Sequence, residues 1–432
     1  MTPEGDPAGG RARTGAEIAL LHYTAPPVVG GVETLIARHA VLMADAGYSV
    51  RIVAGRGEAP DPRVRFTSVA LTDSLHPEVL SVGAELAAGK VGPRFWELAG
   101  RLETELATAL DGVELAILHN VASLNRNLAL TVALRSLVAR PAAPRIILWH
   151  HDLAWTLRRY QPALHEGEPW SLLRTPWPGA VQVTISEARR QALAGLLGLE
   201  ADSIAIVPGG VDLPEPGQAP GYSGRPRRSQ RPAYGSIALE GFDPLLLTPA
   251  RVTLHKNIEL GIRAVAALRA AGQPAGLVVT GPVDPHDRGE SRYLERLLTL
   301  RRRLGLDASA LFLAETPAGS PSREFLDSLY LSADALFLPS WDEGFGLPIL
   351  EAAVRMLPIV CSDLPSLREL GGEEVVYIDP SATPRQAARA VVEAIDRGPS
   401  AELARRLAAR YTWPNVYRDR IEPLLARALA GR

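Results

Sequence analysis

Glu343 and Glu351 bracket the stretch Glu343-Gly-Phe-Gly-Leu-Pro-Ile-Leu-Glu351, with Gly344 and Gly346 between them. Carboxylates accept paired hydrogen bonds in fixed directions, which suits the hydroxyls of a sugar or a ribose. The apolar run Ala335-Leu-Phe-Leu-Pro-Ser340 ahead of this loop reads as a buried strand, and Pro348 stands where a first-turn proline opens a helix. The backbone amides of Gly344, Phe345, Gly346 and Leu347 would then face a ligand at a helix start, and the glycines let it approach the main chain. The bland alternative is a Glu351 that merely complements the helix dipole, worth about 0.3–1 kcal/mol. Strand, glycine loop, proline and helix in that order favour a ligand site.

Arg251 and Lys256 form the second constellation, in Ala250-Arg-Val-Thr-Leu-His-Lys-Asn257 between the expected strand Leu245–Thr248 and helix Ile258–Ala271. Two cations in a loop at a strand's carboxyl end can converge on a diphosphate and stabilise charge on a leaving group. Among 46 basic residues the lysines are Lys90 and Lys256 alone, so a lysine kept at this place argues for a need for lysine. Genome composition and thermal adaptation would both produce that scarcity.

These loops need a scaffold, and the chain of 432 residues is long enough for two or three domains. The run Ala16–Tyr23, the glycines Gly30-Gly31, a helical face of Val32, Leu35, Ile36, His39, Ala40 and Met43, and the strand Ser49–Ala54 make one βαβ unit. Later strands are expected at Leu115–Leu118, Arg145–Trp149, Val181–Ile185 and Ile204–Val207, then at Gly276–Thr280, Ala310–Leu313, Ile359–Cys361 and Val375–Ile378. The expected division is a tail at 1–15, an N-terminal Rossmann-like domain at 16–214 and a Pro/Gly/Arg-rich linker at 215–244. A second Rossmann-like domain follows at 245–410, and a C-terminal helix at 411–432. Ligands of such open α/β sheets sit beyond the carboxyl ends of the strands.

Composition excludes several classes. A net charge of −2 gives no reason to expect nucleic acid as a partner. No apolar run is long enough for a membrane helix, and the first 15 residues lack the apolar region of a signal peptide. Cys361 is the single cysteine, which fits a reducing cytoplasm. No Asp-x-Asp and no His/Cys cluster suggests a metal.

The pattern resembles the retaining glycosyltransferase family 4, of the GT-B architecture: two Rossmann-like parallel-sheet domains facing a central cleft. The resemblance is carried by Gly30-Gly-Val-Glu33, His151-Asp152, Ser186-Glu187, Val207-Pro-Gly-Gly-Val-Asp212, Arg251 with Lys256-Asn257, Gly281, Glu343 to Glu351, Pro358 to Pro365 with Arg368-Glu369, and Tyr411-Thr-Trp413. It implies a hexosyltransferase acting on a nucleotide-diphosphate sugar, with no cofactor and no metal. Arg251 and Lys256 would bind the diphosphate, Glu343 and the amides of Gly344–Leu347 the sugar, and Glu351 the ribose. Gly31 would border the donor, and His151 would hydrogen-bond the transferred sugar beneath its anomeric carbon. Retention would follow from front-side attack, the leaving phosphate taking the acceptor proton, which accounts for the lack of a paired-carboxylate arrangement. The chain departs from the family at Met356, where glycine is usual, and at Ala314-Glu-Thr-Pro317, where a glycine turn usually meets the base.

Glu33, His119, Asn120 and Asp152 are further candidates for the acceptor or donor pocket, with His22 and His150 beside them. Trp149, Trp155, Trp170 and Trp177 read as core, with sugar stacking as the alternative. Arg158-Arg159 and Arg189-Arg190 read as solvated helix faces, although lipid-acting members of the family use basic surfaces. Peripheral contact with the inner membrane face therefore stays open. The acceptor, shaped by loops near 24–31, 66–98 and 150–178, is not readable, nor is the donor base. A GT-B nucleotide-sugar epimerase and a non-catalytic binding protein remain as alternatives. A phosphorylase would need a late lysine for pyridoxal phosphate, and none follows Lys256.

Overall fold

The computed structural model describes residues 15–28, 30–214, 231, 233, 238–282, 290–315 and 321–430. The expected tail apart from Gly15, most of the linker, and Thr316-Pro317 lie outside the described residues. The chain forms two compact units, one of Met1–Pro208 with Val416–Arg432, the other of Gly209–Asn415.

Unit 1 is built on a seven-stranded parallel sheet: β1 (Glu17–Leu21), β2 (Ser49–Ala54), β3 (Val64–Ser68), β4 (Leu115–His119), β5 (Arg145–His150), β6 (Val181–Thr184) and β7 (Ala205–Ile206), in the order β3-β2-β1-β4-β5-β6-β7. Unit 2 carries six parallel strands: β8 (Leu245–Thr248), β9 (Gly276–Val279), β10 (Ala310–Phe312), β11 (Ala335–Leu338), β12 (Ile359–Ser362) and β13 (Val376–Ile378), in the order β10-β9-β8-β11-β12-β13. Helices cover both faces of such sheets, so central strands become continuous apolar runs, and every residue of β4, β8, β11 and β12 is buried.

The two orders share one consequence. In each sheet the order reverses beside the first strand, between β1 and β4 and between β8 and β11, and the connections leave to opposite faces there. The place where such sheets bind ligands is the carboxyl end of those strand pairs. In unit 1 it is bordered by the segments after Leu21 and His119, and in unit 2 by those after Thr248 and Leu338. These segments hold His22, Glu33, His119, Asn120, Arg251, Lys256 and Glu343, while His151 and Asp152 follow the neighbouring strand β5.

Two expectations need correction, and a third feature, the end of the helix before Met356, is as the sequence suggests. The stretch 66–98 is not mainly loop: it holds the end of β3, the helix Pro77–Ala87 and the start of the helix Pro93–Ala109. In the first helix, Gly31–Asp45, the inward face takes Glu33, while Val32 is only half-buried. The helix Leu347–Val354 does end in a left-handed turn without glycine: Met356 itself adopts φ 54°, and the Leu357 amide donates back to the Ala352 carbonyl at 2.9 Å. For an L-residue that conformation costs roughly 1–2 kcal/mol, which the buried strand β12 that follows must offset.

Three of the four tryptophans are core. Trp149, Trp170 and Trp177 are fully buried, and Trp155 is half-buried beneath the Arg174 guanidinium, 4.1 Å from its ring.

Candidate functional site

In unit 2 the site is built on two adjacent central strands. β8 delivers Arg251 and Lys256, and β11 delivers Glu343. The Lys256 Nζ donates to Glu343 Oε1 at 2.7 Å, and the Ser340 hydroxyl donates to the same oxygen at 2.7 Å. The Ser366 hydroxyl reaches the Glu343 carbonyl at 2.8 Å, so the glutamate is held at both side chain and main chain. Lys256 and Glu343 are mostly but not wholly buried, at 18% and 9% side-chain exposure, which makes their pairing stronger than a surface ion pair.

The loop bearing Lys256 is fixed by its neighbours. Asn257 adopts a left-handed conformation, φ 51°, and its amide donates to the carbonyls of Pro339 and Pro380 at 3.0 and 2.8 Å. The Trp341 amide donates to the His255 carbonyl at 2.8 Å, tying the two loops together. Arg251 is set by the turn after β9: a Cβ at Gly281 would lie 2.4 Å from the Ala250 carbonyl oxygen and 2.5 Å from the Arg251 nitrogen. Only glycine allows that approach.

The helix Leu347–Val354 opens at Gly346, φ 102°, with Pro348 in its first turn. Gly344 to Leu347 thus stand at a helix N-terminus beside Glu343, the arrangement suited to a hydroxyl or an anion. Glu351 follows on the same helix, half-buried, and accepts from the Tyr330 hydroxyl at 2.5 Å. Burial pushes its carboxyl above the usual range, against the pull of Tyr330, Arg323 and Arg355.

In unit 1 the sheet's reversal point gathers histidines. His119, at the end of β4, and His151, just past β5, are buried and stacked with ring centres 5.4 Å apart. Nδ1 of His119 and Nε2 of His151 lie 3.1 Å apart and share one proton, while His22 Nδ1 donates to the His119 carbonyl at 3.0 Å. Asn120, φ 61°, turns the chain so that its Oδ1 accepts from the amides of His151 at 2.8 Å and Asp152 at 3.2 Å. Glu33 is buried and accepts from the Thr24 hydroxyl at 2.7 Å, with His22 Nε2 3.8 Å away. Gly31, by contrast, is exposed at the start of its helix. His150 is turned toward Gln182, 2.8 Å away, and not toward this group.

The sequence did not mark His39 as part of the group. It lies on the buried face of the helix Gly31–Asp45, its ring 4.8 Å from Trp149 and 6.2 Å from His119. Its position on the core face, level with the strand ends, was the available signal. The arginines also differ from expectation. Arg189 is buried, not solvated, and reaches Asp152 Oδ1 at 3.5 Å, while Arg159 reaches Oδ2 at 3.1 Å. Asp152 is therefore a clamp for two arginines. Other unforeseen partners are Thr24, Ser340, Ser366 and Tyr330.

Burial disfavours the charged imidazolium. It holds His39 and His151 down to about 3 and His150 to about 4, and pushes His119 well below its ordinary value, with neighbouring histidines adding to the effect at His39, His119 and His151. His151 is accordingly neutral at neutral pH, a hydrogen-bonding group and not a cation. The unfolded chain takes up these protons near pH 6.5, whereas the folded cluster resists them until pH 3–4. The contribution to stability is thus complete above about pH 6.5 and is lost as the pH falls through that window, by up to about 1.4 kcal/mol per pH unit for each histidine. Melting curves from pH 7.5 to 4.5 should show a steep fall below 6.5 that His39→Leu flattens. A melting temperature constant over that range would contradict the neutral cluster.

Among the described residues, no helix is long and apolar enough to cross a membrane, and no group of three or more His, Cys, Asp or Glu could hold a metal ion.

Comparison with known proteins agrees with this fold. Residues 29–215 match the family model Glycosyltransferase Family 4, and residues 236–410 match Glycosyl transferases group 1. A D-inositol 3-phosphate glycosyltransferase of Nocardia farcinica is 30% identical over 186 residues, 43% of this chain and 37% of that protein. The serotype-specific mannosyltransferase WbdA of Escherichia coli is 43% identical over 72 residues, 17% of this chain and 9% of that protein. The chain thus spans less than half the length of these two curated relatives. Among solved structures, sucrose-phosphate synthase from Thermosynechococcus elongatus is similar with a TM-score of 0.70 at 17% identity, covering 96% of this chain and 99% of that one. HepE of Anabaena, in complex with UDP-glucose, is similar with a TM-score of 0.66 at 15% identity, covering 94% and 99%. At such identities the likeness concerns the fold, which is GT-B. With the two family models together spanning most of both units, the chain belongs to the group 1, family 4 glycosyltransferases.

Proposed function

We propose that this chain transfers a hexosyl unit from a nucleoside-diphosphate sugar to a hydroxyl acceptor, with retention at the anomeric carbon and without a metal. The observation that carries the reading is the convergence of Lys256 and Glu343 from adjacent strands at the reversal point of the unit 2 sheet. The lysine is fixed there by a carboxylate that Ser340 holds in turn, with Arg251 earlier on the same loop and a helix N-terminus just after Glu343. That set fits a diphosphate next to a sugar.

In this reading Arg251 and Lys256 neutralise the diphosphate as its bond to the anomeric carbon breaks. The departing phosphate oxygen takes the acceptor's hydroxyl proton while the new C–O bond forms on the same face. Glu343 and the amides of Gly344, Phe345, Gly346 and Leu347 hold the sugar hydroxyls, and Glu351 holds the ribose. From unit 1, Gly31 serves the donor. His151 hydrogen-bonds the transferred sugar as a neutral imidazole, its orientation set by His119 and Asn120. The relatives support the class of reaction, being named for transfer of sugars, and HepE supports a nucleotide donor through its complex with UDP-glucose.

The test separates binding from transfer. With the donor found by thermal shift, acceptors of several classes are screened for nucleoside diphosphate release and the product's anomeric configuration is read by NMR. His151→Ala is expected to bind donor within about twofold of the unaltered chain while transfer falls by two orders of magnitude or so. Full transfer by that variant would remove His151 from the reaction, and an inverted product would remove the front-side course.

A further inference from the structure

Glu351 does not stand alone. The helix Arg323–Ser332 presents Asp327 and Tyr330 on one face, and the chain from Glu351 to Arg355 presents its own pair opposite them. The Tyr330 hydroxyl donates to Glu351 Oε2 at 2.5 Å. Arg355, 2% exposed, donates from Nη2 to Asp327 Oδ1 at 2.8 Å and from Nη1 to the Glu351 carbonyl at 3.1 Å. Its guanidinium carbon lies 5.5 Å from the centre of the Tyr330 ring. Arg323 Nε closes on Asp327 at 3.4 Å. A ring of contacts therefore runs from Glu351 through Tyr330 and Arg355 back to the Glu351 main chain, with Asp327 anchoring Arg355.

Such a ring exceeds what a glutamate near a helix start needs. A carboxylate with neither oxygen held turns about its terminal bond. One short, charge-assisted bond from a rigid, buried phenol fixes its plane. We propose that Tyr330 is a positioning residue for nucleotide recognition, holding Oε2 of Glu351 so that Oε1 is presented to the ribose hydroxyls of a nucleoside diphosphate. This rests on the reading of Glu351 as the ribose ligand. Burial and the neighbouring Glu351 keep the Tyr330 phenol protonated, far above its ordinary range, so it remains a donor. Arg355, anchored by Asp327, fixes the main chain of Glu351 from the other side.

The test uses a readout that a merely structural tyrosine would not move. UDP, GDP and ADP are titrated calorimetrically into the chain, and the tightest binder is compared with its 2′,3′-dideoxy form. The unaltered chain should prefer the ribose form by about tenfold or more. In Tyr330→Phe the ribose form should weaken by about tenfold while the dideoxy form is unchanged, so that the preference collapses toward one. A preference equal to that of the unaltered chain would overturn the proposal. If the unaltered chain itself shows no preference, the ribose role of Glu351 fails and the proposal with it, a failure recognisable because it appears without any substitution. Should Tyr330→Phe not fold, Asp327→Asn loosens the ring through Arg355 and should lower the same ratio by about threefold, and an undiminished ratio there counts against the proposal equally.

Discussion

Lys256→Ala is expected to lower kcat/KM by about two orders of magnitude or more and to weaken nucleoside diphosphate binding. Two losses combine. The diphosphate loses a cation that is held in place before it arrives, and a preorganised charge is worth more than one that must be ordered during reaction. Glu343 also loses its 2.7 Å partner and keeps only the Ser340 hydroxyl, so a largely buried carboxylate is left beside an incoming anion. Lys256→Arg does not restore the arrangement, because a planar fork cannot replace a compact ammonium on the same oxygen. Steady-state kinetics with the identified donor, together with calorimetry of the bare diphosphate, measure both losses. Kinetics unchanged by the substitution would take Lys256 out of the site.

Arg231→Ala should produce the largest loss of stability, about 3–5 kcal/mol. Arg231 falls in the stretch that composition marks as linker, yet it is buried. It donates to Asp334 Oδ2 at 2.7 Å, to the Ser332 carbonyl at 3.1 Å and to the Phe242 carbonyl at 2.5 Å. Asp334 in turn accepts from the amide of Leu245, the first residue of β8, at 2.7 Å. Removing the guanidinium leaves the Asp334 carboxylate with the Leu245 amide but without its counter-charge, and takes a donor from two carbonyls, at the entry to the strand that leads to Arg251 and Lys256. For a unit of this size the melting transition of unit 2 should drop by roughly 6–20 °C. A shift under about 2 °C by calorimetry would mean that the pair is solvated in solution.

Where the sequence could be read, the reason is local. Leu245–Thr248 and Ala335–Leu338 are central parallel strands, buried on both faces, so their apolar runs are continuous and the loops after them are easily placed. The site residues on those loops followed directly. β3 was missed because it is an edge strand whose Arg65 and Ser68 face solvent, which erases the pattern. The helix Pro77–Ala87 and the start of the helix Pro93–Ala109 fall in the stretch 66–98 that reads as loop, although each opens on a proline in its first turn, the signal that locates the helix after Gly346.

Contacts across long sequence separations left no trace at all. Arg231 and Asp334 are 103 residues apart, Lys256 and Glu343 are 87 apart, and His119 and His151 are 32 apart. Residue type suggested that Lys256, Glu343 and His151 had tasks. It did not say that the lysine and glutamate would hold each other, or that Asp152 would be occupied by Arg159 and Arg189. Met356 shows the opposite limit: the missing glycine was visible, but the backbone kept the left-handed turn and forced a methionine to make it.

The central claim is that unit 2 grips a nucleoside-diphosphate sugar through Arg251, Lys256, Glu343 and Glu351. A thermal-shift screen with UDP-, GDP- and ADP-sugars tests it most directly, since a ligand bound only to the folded state stabilises by about 2.7 kcal/mol at a hundred times its Kd. The account predicts a concentration-dependent rise in melting temperature with one of the three bases, lost in Lys256→Ala. No rise with any of them, or an equal rise in the variant, would contradict it.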